Sequence, residues 1–346
     1  MKHHLYILVA LTLLALAGCG KVTNEREPDL VVRGDATADA ANQAPDRVTR
    51  GVRIATARLV FITHGQASDE FWKVVQRGKD DAHKQTGAAV SYRSPDAFSI
   101  QRMRRYIDEA VADRPDGLIV SLPDATALSP SIKAAVKAGI PVITINSGSD
   151  EFRKLGVLAH VGQDEYKAGL EAGRRMGRAG VKRALCVNQE NGNTGLDQRC
   201  RGLGDGLAKT GGTMKPLPVP LQNENVAQTQ MAEALNDPAV DGILTLGPGG
   251  AKPALDAIRA SGLQSRVKLA TFDLSPDVLA AVRDGKMLFA VDQQPYLQGY
   301  LPVVLLAQRA RYGVFPGEGE LIPTGPKFIT KLDAPEVIRL SAEGIR

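Results

Sequence analysis

Aromatic residues are scarce. Phe, Tyr and Trp make up 5% of the 346 residues, with a single tryptophan. Histidine is also thin, at five residues, and cysteine at three. No Cys-x-x-Cys pair occurs and the histidines are scattered, which argues against a structural zinc site or any other bound metal. Charge of one sign is lacking too. The net charge is +5, and basic residues are dispersed in pieces such as RMRR (102–105) and RRM (174–176), where a nucleic-acid surface needs a concentrated stripe. A Gly-x-Ser-x-Gly elbow is missing. The stretch GPGGAKP (247–253) lacks the spacing and the following Ser/Thr of a phosphate loop. His64 and Asp69 have the residue types of a base and its orienting acid, but no nucleophile accompanies them. The chain therefore reads as a non-enzyme with no cofactor.

Long hydrophobic runs are absent except at the N-terminus. MKHHLYILVALTLLALAGCG has Lys2 in a short polar start, an apolar stretch from Leu5 to Ala17, then Leu16-Ala17-Gly18-Cys19. This is too short to span a bilayer comfortably and right for a signal peptide over 1–18. Leu-Ala-Gly-Cys resembles the bacterial lipobox, whose cysteine becomes the lipidated first residue of the mature chain. An ordinary cleaved signal and an uncleaved anchor are the alternatives. Under the lipobox reading Cys19 is the lipidation site on the periplasmic side of a membrane, and Gly20 beside it favours the outer one. The following polar, Ala/Asp/Asn-rich residues lack periodicity and read as a flexible tether, 19–51. Cys186 and Cys200 remain. In an exported chain they are either one disulfide, stabilising by roughly 3 kcal/mol, or two buried thiols.

What is abundant is glycine and proline, 35 and 20 residues, which suits many short turns. After the tether, strands and helices alternate. RLVFITHG (58–65) reads as a strand. DEFWKVVQRGKDDAHKQTG (69–87) has helical spacing at Phe71, Val74, Val75, Gly78 and Ala82 and stops at Gly87. AAVSYRS, SIQRMRRYIDEAVADRP, DGLIVSLP, TALSPSIKAAVKAG and IPVITINSG continue the alternation. Near-continuous β-branched runs such as 140–145 indicate strands buried on both faces, hence parallel sheets flanked by helices. A second series follows residue 180: KRALCVNQ, LDQRCRGLGDGLAKTG, VAQTQMAEALNDP, VDGILTLGP, AKPALDAIRASG and VKLATFD. Two doubly wound α/β lobes are expected.

Such sheets bind ligands where loops converge at the carboxyl ends of the strands. Those ends carry His64, Gly65, Gln66, Ser68 and Asp69, then Phe71-Trp72. Further along come Ser121 to Asp124, Asn146-Ser147, Asn188 to Asn191, Gly247-Pro248, Asp273 and Asp292-Gln293-Gln294, with Arg199 opening a helix. Amides, carboxylates and an Arg beside an aromatic pair suit a polyhydroxylated ring: planar polar groups pair with vicinal hydroxyls and aromatic faces cover C–H surfaces.

From about Arg53 to Lys331 the chain resembles the periplasmic sugar-binding proteins of ABC importers, in the ribose- and galactose-binding group of the type I periplasmic binding fold. The segments that carry this are DEFW, DGLIVS, AGIPVITIN, VGQDEYKAG, LDQRCRGL, DGILTLG and ATFDLSPDVLAAVRDGKMLFAVDQQPYLQGY. The resemblance implies two doubly wound parallel-sheet lobes joined by a three-segment hinge, with one lobe at 52–163 and 294–322 and the other at 164–293 and 323–346. It implies ligand contacts at Asp69, Phe71, Trp72, Asn146, Arg199, Asp273 and Gln293, and a longer first loop adds Gln66. The family's acid-plus-Arg pair stands here as Asn146-Ser147, a further polar position is Leu122, and the family's Asn is Gly247. These departures open the ligand to pentoses, hexoses, inositol and linear polyols. Asp273 has a competing job, capping the helix near Ser275; Arg199 has one too, pairing with Asp197 or Asp205. The implied function is capture of a monosaccharide or polyol by a monomer and delivery to an inner-membrane permease. Signalling to a membrane receptor or sensor kinase is the alternative. A sugar-responsive repressor would carry a DNA-binding segment in place of the signal and tether.

Overall fold

The computed structural model describes residues 56–65, 69–221, 223–341 and 343–346. The signal over 1–18, Cys19, the tether and Gln66 lie outside the described residues.

The first series runs β1 (Arg58–Ile62), α1 (Glu70–Thr86), β2 (Ala89–Arg93), α2 (Ile100–Asp113), β3 (Gly117–Ser121), α3 (Ala125–Lys137), β4 (Val142–Ile145) and β5 (Ala159–Gly162). The second runs α4 (Glu165–Arg178), β6 (Arg183–Asn188), α5 (Thr194–Ala208), β7 (Thr213–Pro218), α6 (Glu224–Ala234), β8 (Gly242–Thr245), α7 (Pro248–Ala260), β9 (Lys268–Phe272), α8 (Pro276–Arg283) and β10 (Ala290–Asp292). The chain closes with α9 (Pro295–Tyr312), β11 (Glu320–Pro323), β12 (Lys327–Ile329) and α10 (Ala334–Ser341).

The strands form two six-stranded sheets, ordered β2-β1-β3-β4-β5-β11 and β7-β6-β8-β9-β10-β12. The order is the same in both lobes, offset by one series, and every pairing is parallel except β10 with β12. Central strands β3 and β4 are buried along their whole length, while edge strands β2 and β7 are exposed or half-buried throughout. That follows from helices covering both faces of each sheet. β7 holds Pro216 and Pro218, so the sequence pattern passes over it; an edge position tolerates the missing N–H groups.

Helix starts are set by short polar side chains. Asp69, Ser99, Asp124, Asp164, Asn193, Asn223 and Ser275 each accept a backbone N–H of the first turn. Within each lobe one helix pair approaches unusually closely. A methyl group on Gly169 of α4 would run into the Arg199 carbonyl, and one on Gly202 of α5 into the Tyr166 carbonyl. α1 and α9 repeat the device through Gly78 and Gly299.

Three segments cross between the sheets, at 163–164, 293–294 and 324–326. Thr324 joins them: its N–H donates to the Gly162 carbonyl at 2.8 Å, and its own carbonyl accepts Gln294 Nε2 at 2.6 Å. Pro295 is the first residue of α9, where its fixed φ and missing N–H fit.

Candidate functional site

The carboxyl ends of both sheets face one cavity of about 420 Å³. The first lobe supplies mostly rings. His64 and Gly65 follow β1, Asp69 caps α1, Phe71 and Trp72 sit in its first turn, Phe98 follows β2 and Asn146 follows β4. Trp72 meets His64 and Phe71 edge-on at 5.0 and 4.9 Å between centroids, and Phe98 meets His64 at 5.9 Å. The second lobe supplies polar groups: Gln189, Glu190 and Asn193 after β6, Arg199 on α5, Asp273 after β9 and Gln293 after β10.

Asn146 and Asp273 occupy equivalent strand ends in the two sheets, and both adopt left-handed backbone, with φ of 60° and 66°. Asn and Asp tolerate this conformation better than most residues. Gln293 connects them. Its Nε2 donates to Asp273 Oδ1 at 2.6 Å, and Asn146 Nδ2 approaches its Oε1 at 3.5 Å from the opposite lobe. Asp273 does not cap α8; Ser275 does. Burial pushes the Asp273 carboxyl up to about 7, against the opposing pull of Arg199 and the Gln293 hydrogen bond.

Arg199 pairs with neither Asp197 nor Asp205. Those carboxylates accept from Asn188 and Tyr166. Its partner is Glu165, the first residue of α4, which it grips twice, Nε to Oε2 at 2.6 Å and Nη2 to Oε1 at 3.0 Å. The glycine contacts between α4 and α5 bring the two into reach. Side-chain exposure is 3% for Arg199 and 0% for Glu165, so this is a buried ion pair. The guanidinium lies 4.4 Å from the Phe272 ring centroid, and Nη1 donates to the Leu246 carbonyl at 3.1 Å. Three of its five N–H groups are thus engaged among the described residues. Burial works against the guanidinium charge, but Glu165 more than offsets it and the pKa is raised.

His64 is not a base beside Asp69. Asp69 Oδ1 accepts the Phe71 N–H at 2.8 Å, and His64 belongs to a chain of hydrogen bonds joining the lobes. Its Nδ1 lies 2.8 Å from Ser121 Oγ and its Nε2 3.3 Å from Asn193 Nδ2. Asn193 Oδ1 is occupied as an acceptor by Gly195 N–H and Ser147 Oγ, so Nδ2 is the donor and His64 Nε2 accepts. That places the imidazole proton on Nδ1. Burial, with Arg199 adding to it, lowers the His64 pKa to about 3 and keeps the ring neutral. Asn193 Nδ2 also donates to Glu190 Oε2 at 2.6 Å, and burial raises the pKa of Glu190.

The structure therefore gathers Asp69, Phe71, Trp72, Asn146, Arg199, Asp273 and Gln293 around one cavity. Gln66 is outside the described residues. Leu122 is buried in the first lobe's core and takes no place in the cavity. Cys186 and Cys200 form a disulfide. The sequence reading placed His64 and Glu190 at strand ends without giving them a ligand contact, and named neither Phe98 nor Asn193. Phe98 follows a strand and Asn193 caps a helix, so carrying the strand-end rule through every strand and first turn would have reached them.

Fold and cavity together define a two-lobed protein with a largely polar cavity between its lobes. A family model described as a periplasmic binding protein domain matches residues 59–313, and the chain belongs to that family. It is of the type I form, in the group of sugar-binding proteins of ABC importers. A carbohydrate transporter from Acidothermus cellulolyticus 11B, solved in complex with myo-inositol, is 35% identical. The match covers 84% of this chain and 100% of that one, with a TM-score of 0.78. The xylose/arabinose-binding protein XylF of Sulfolobus acidocaldarius is 25% identical over 295 residues, 80% of this chain and 71% of that protein. A D-ribose/D-allose-binding protein of Pseudomonas aeruginosa is 26% identical over 252 residues, 68% of this chain and 76% of that protein.

Proposed function

We propose that this protein captures an uncharged monosaccharide or cyclic polyol (a pentose, a hexose or inositol) between its lobes and delivers it to an inner-membrane ABC permease. The observation that carries the reading is the Asn146–Gln293–Asp273 array, drawn from both lobes, next to an Arg199 whose charge is already matched by Glu165. Amides and carboxylates pair with vicinal hydroxyls, and the four rings of the first lobe suit the C–H face of a sugar. With Arg199 neutralised and Asp273 and Glu190 on the wall, a carboxylate or phosphate gains no attraction on entry. A ligand touching both lobes stabilises their closed arrangement through its differential contacts. The names of the relatives support the same ligand class. Chemistry on the bound molecule is not part of this reading. The sequence Leu16-Ala17-Gly18-Cys19 supports anchoring through a lipid on Cys19.

The test is a thermal-shift screen followed by calorimetry, using myo-inositol, xylose, arabinose, ribose, allose, galactose, glucuronate and glucose 6-phosphate. Binding of at least one neutral ring, with no response to the two anions, is expected. Binding of the anions alone contradicts the reading. Loss of uptake of that ring on gene deletion tests the transport role, and release of a Cys19→Ser protein from membranes tests the anchor.

A further inference from the structure

The second lobe's polar wall is concentrated in one short stretch. Gln189, Glu190, Asn193, Leu196 and Arg199 all line the cavity, and all lie between Cys186 on β6 and Cys200 on α5. The same stretch makes most of the direct polar contacts with the first lobe. Thr194 donates to the Pro123 carbonyl through both its backbone N–H, at 2.8 Å, and its hydroxyl, at 3.0 Å. Ser147 Oγ donates to Asn193 Oδ1 at 3.1 Å, His64 bonds to Asn193, and Gln198 Nε2 donates to Asp150.

Resting on the binding function above, we propose that the Cys186–Cys200 disulfide is a positioning element of the ligand site. It closes residues 186–200 into a covalent ring that holds the Gln189–Arg199 part of the second lobe's wall and its grip on the first lobe.

Each end of the ring is anchored to its own neighbours. β6 is paired over its length with β7 on one side and β8 on the other, and α5 is held against α4 by the glycine contacts. Cys186 and Cys200 lie within a core cluster that also contains Leu203, Leu207, Leu244 and Phe272. The turn between strand and helix has no ladder of its own and rests largely on side chains: Glu190 N–H donates to Asn188 Oδ1 at 3.0 Å and Asn193 Nδ2 to Glu190 Oε2 at 2.6 Å. Inside it, one backbone hydrogen bond runs from Asn193 N–H to the Glu190 carbonyl at 3.0 Å, and Gly192 has φ of 87°. The covalent closure fixes how far the start of α5 stands from the end of β6. That distance sets where Asn193 and Arg199 meet a ligand. A segment already restricted before binding has less freedom to lose on binding, so affinity rises through preorganisation.

The experiment compares the mature protein with Cys186→Ala/Cys200→Val, which keeps the site apolar and leaves every cavity residue in place. Both are titrated at 10 °C with myo-inositol and with the screen's best neutral ring, and urea unfolding establishes that each is folded. At least tenfold weaker affinity is expected in the folded variant. Faster amide exchange over 187–199, but not in β8 and β9, should accompany it. A bond that only adds global stability would lower the urea midpoint and leave affinity within threefold, and that result overturns the proposal. A variant that does not fold overturns it as well, since the bond would then hold the whole lobe. A native protein that binds no neutral ring removes the binding function itself, and the proposal with it.

Discussion

Gln293 donates to Asp273 at 2.6 Å across the ends of two neighbouring strands, and its carbonyl oxygen faces Asn146 of the other lobe. An amide so placed reads a carboxylate with one end and the opposite lobe with the other. The crossing between lobes therefore contributes directly to the cavity, and an inter-lobe contact and a piece of cavity wall share a single side chain.

This arrangement makes Asp273 pH-sensitive. Its carboxyl, ordinarily at 3.8, is raised to about 7 by burial, so the folded chain binds this proton more tightly than the unfolded one. Stability without ligand should fall as pH rises through that window, by at most about 4 kcal/mol at 1.36 kcal/mol per unit. Asp273→Asn removes the effect. Urea unfolding at pH 5, 6, 7 and 8 should show the native protein losing stability relative to the variant up to about pH 7, then a constant difference. Parallel curves throughout would contradict the assignment. His64, lowered to about 3, has the opposite sign: its contribution is lost as pH falls below 6.5, and it is common to both proteins in this comparison.

Arg199→Met should destabilise the protein by about 3–5 kcal/mol, because Glu165 is left as an uncompensated buried charge. Adding Glu165→Met should restore most of that stability and none of the ligand affinity. Denaturation midpoints and calorimetry on the single and double variants separate the two roles. Recovery of both in the double variant would make Arg199 purely structural.

Gly169→Ala places a methyl group against the Arg199 carbonyl and must push α5 away from α4. A loss of about 1–3 kcal/mol in stability is expected, with weaker ligand binding because Arg199 moves. Gly204→Ala, on α5, meets only the Met214 side chain, at ordinary contact distance. It should be neutral or stabilise by up to about 1 kcal/mol through helix propensity, with unchanged affinity. Equal affinities in the two variants would uncouple helix packing from the site.

How much of this was legible in the sequence depended on the range of the interaction. Strand ends announce themselves locally, so Asn146, Asp273 and Gln293 were reachable from alternating apolar runs and the polar residues that stop them. Helix ends were equally local, as with Gly87 stopping α1. The partner of Arg199 was not, because Glu165 stands 34 residues away and meets it only through glycine-to-backbone contacts between helices. The sequence offered nearer carboxylates, Asp197 and Asp205, and proximity along the chain was misleading. His64 was visible as a strand-end residue, but its partners Ser121 and Asn193 come from two lobes. Edge strand β7 was hidden by its prolines.

Trp72 is the sole tryptophan and lines the cavity beside His64 and Phe71. Any ligand that calorimetry finds to bind should change its emission with the same midpoint. Saturation by such a ligand with unaltered emission would place the molecule elsewhere.

The most direct measurement is a crystal structure of the protein with the neutral ring that binds best. The account predicts one molecule in the cavity, its hydroxyls within hydrogen-bonding distance of Asp273, Gln293 and Arg199 and a C–H face against Phe71, Trp72 or Phe98. A ligand that contacts one lobe only, or that leaves Asp273, Gln293 and Arg199 untouched, would contradict it.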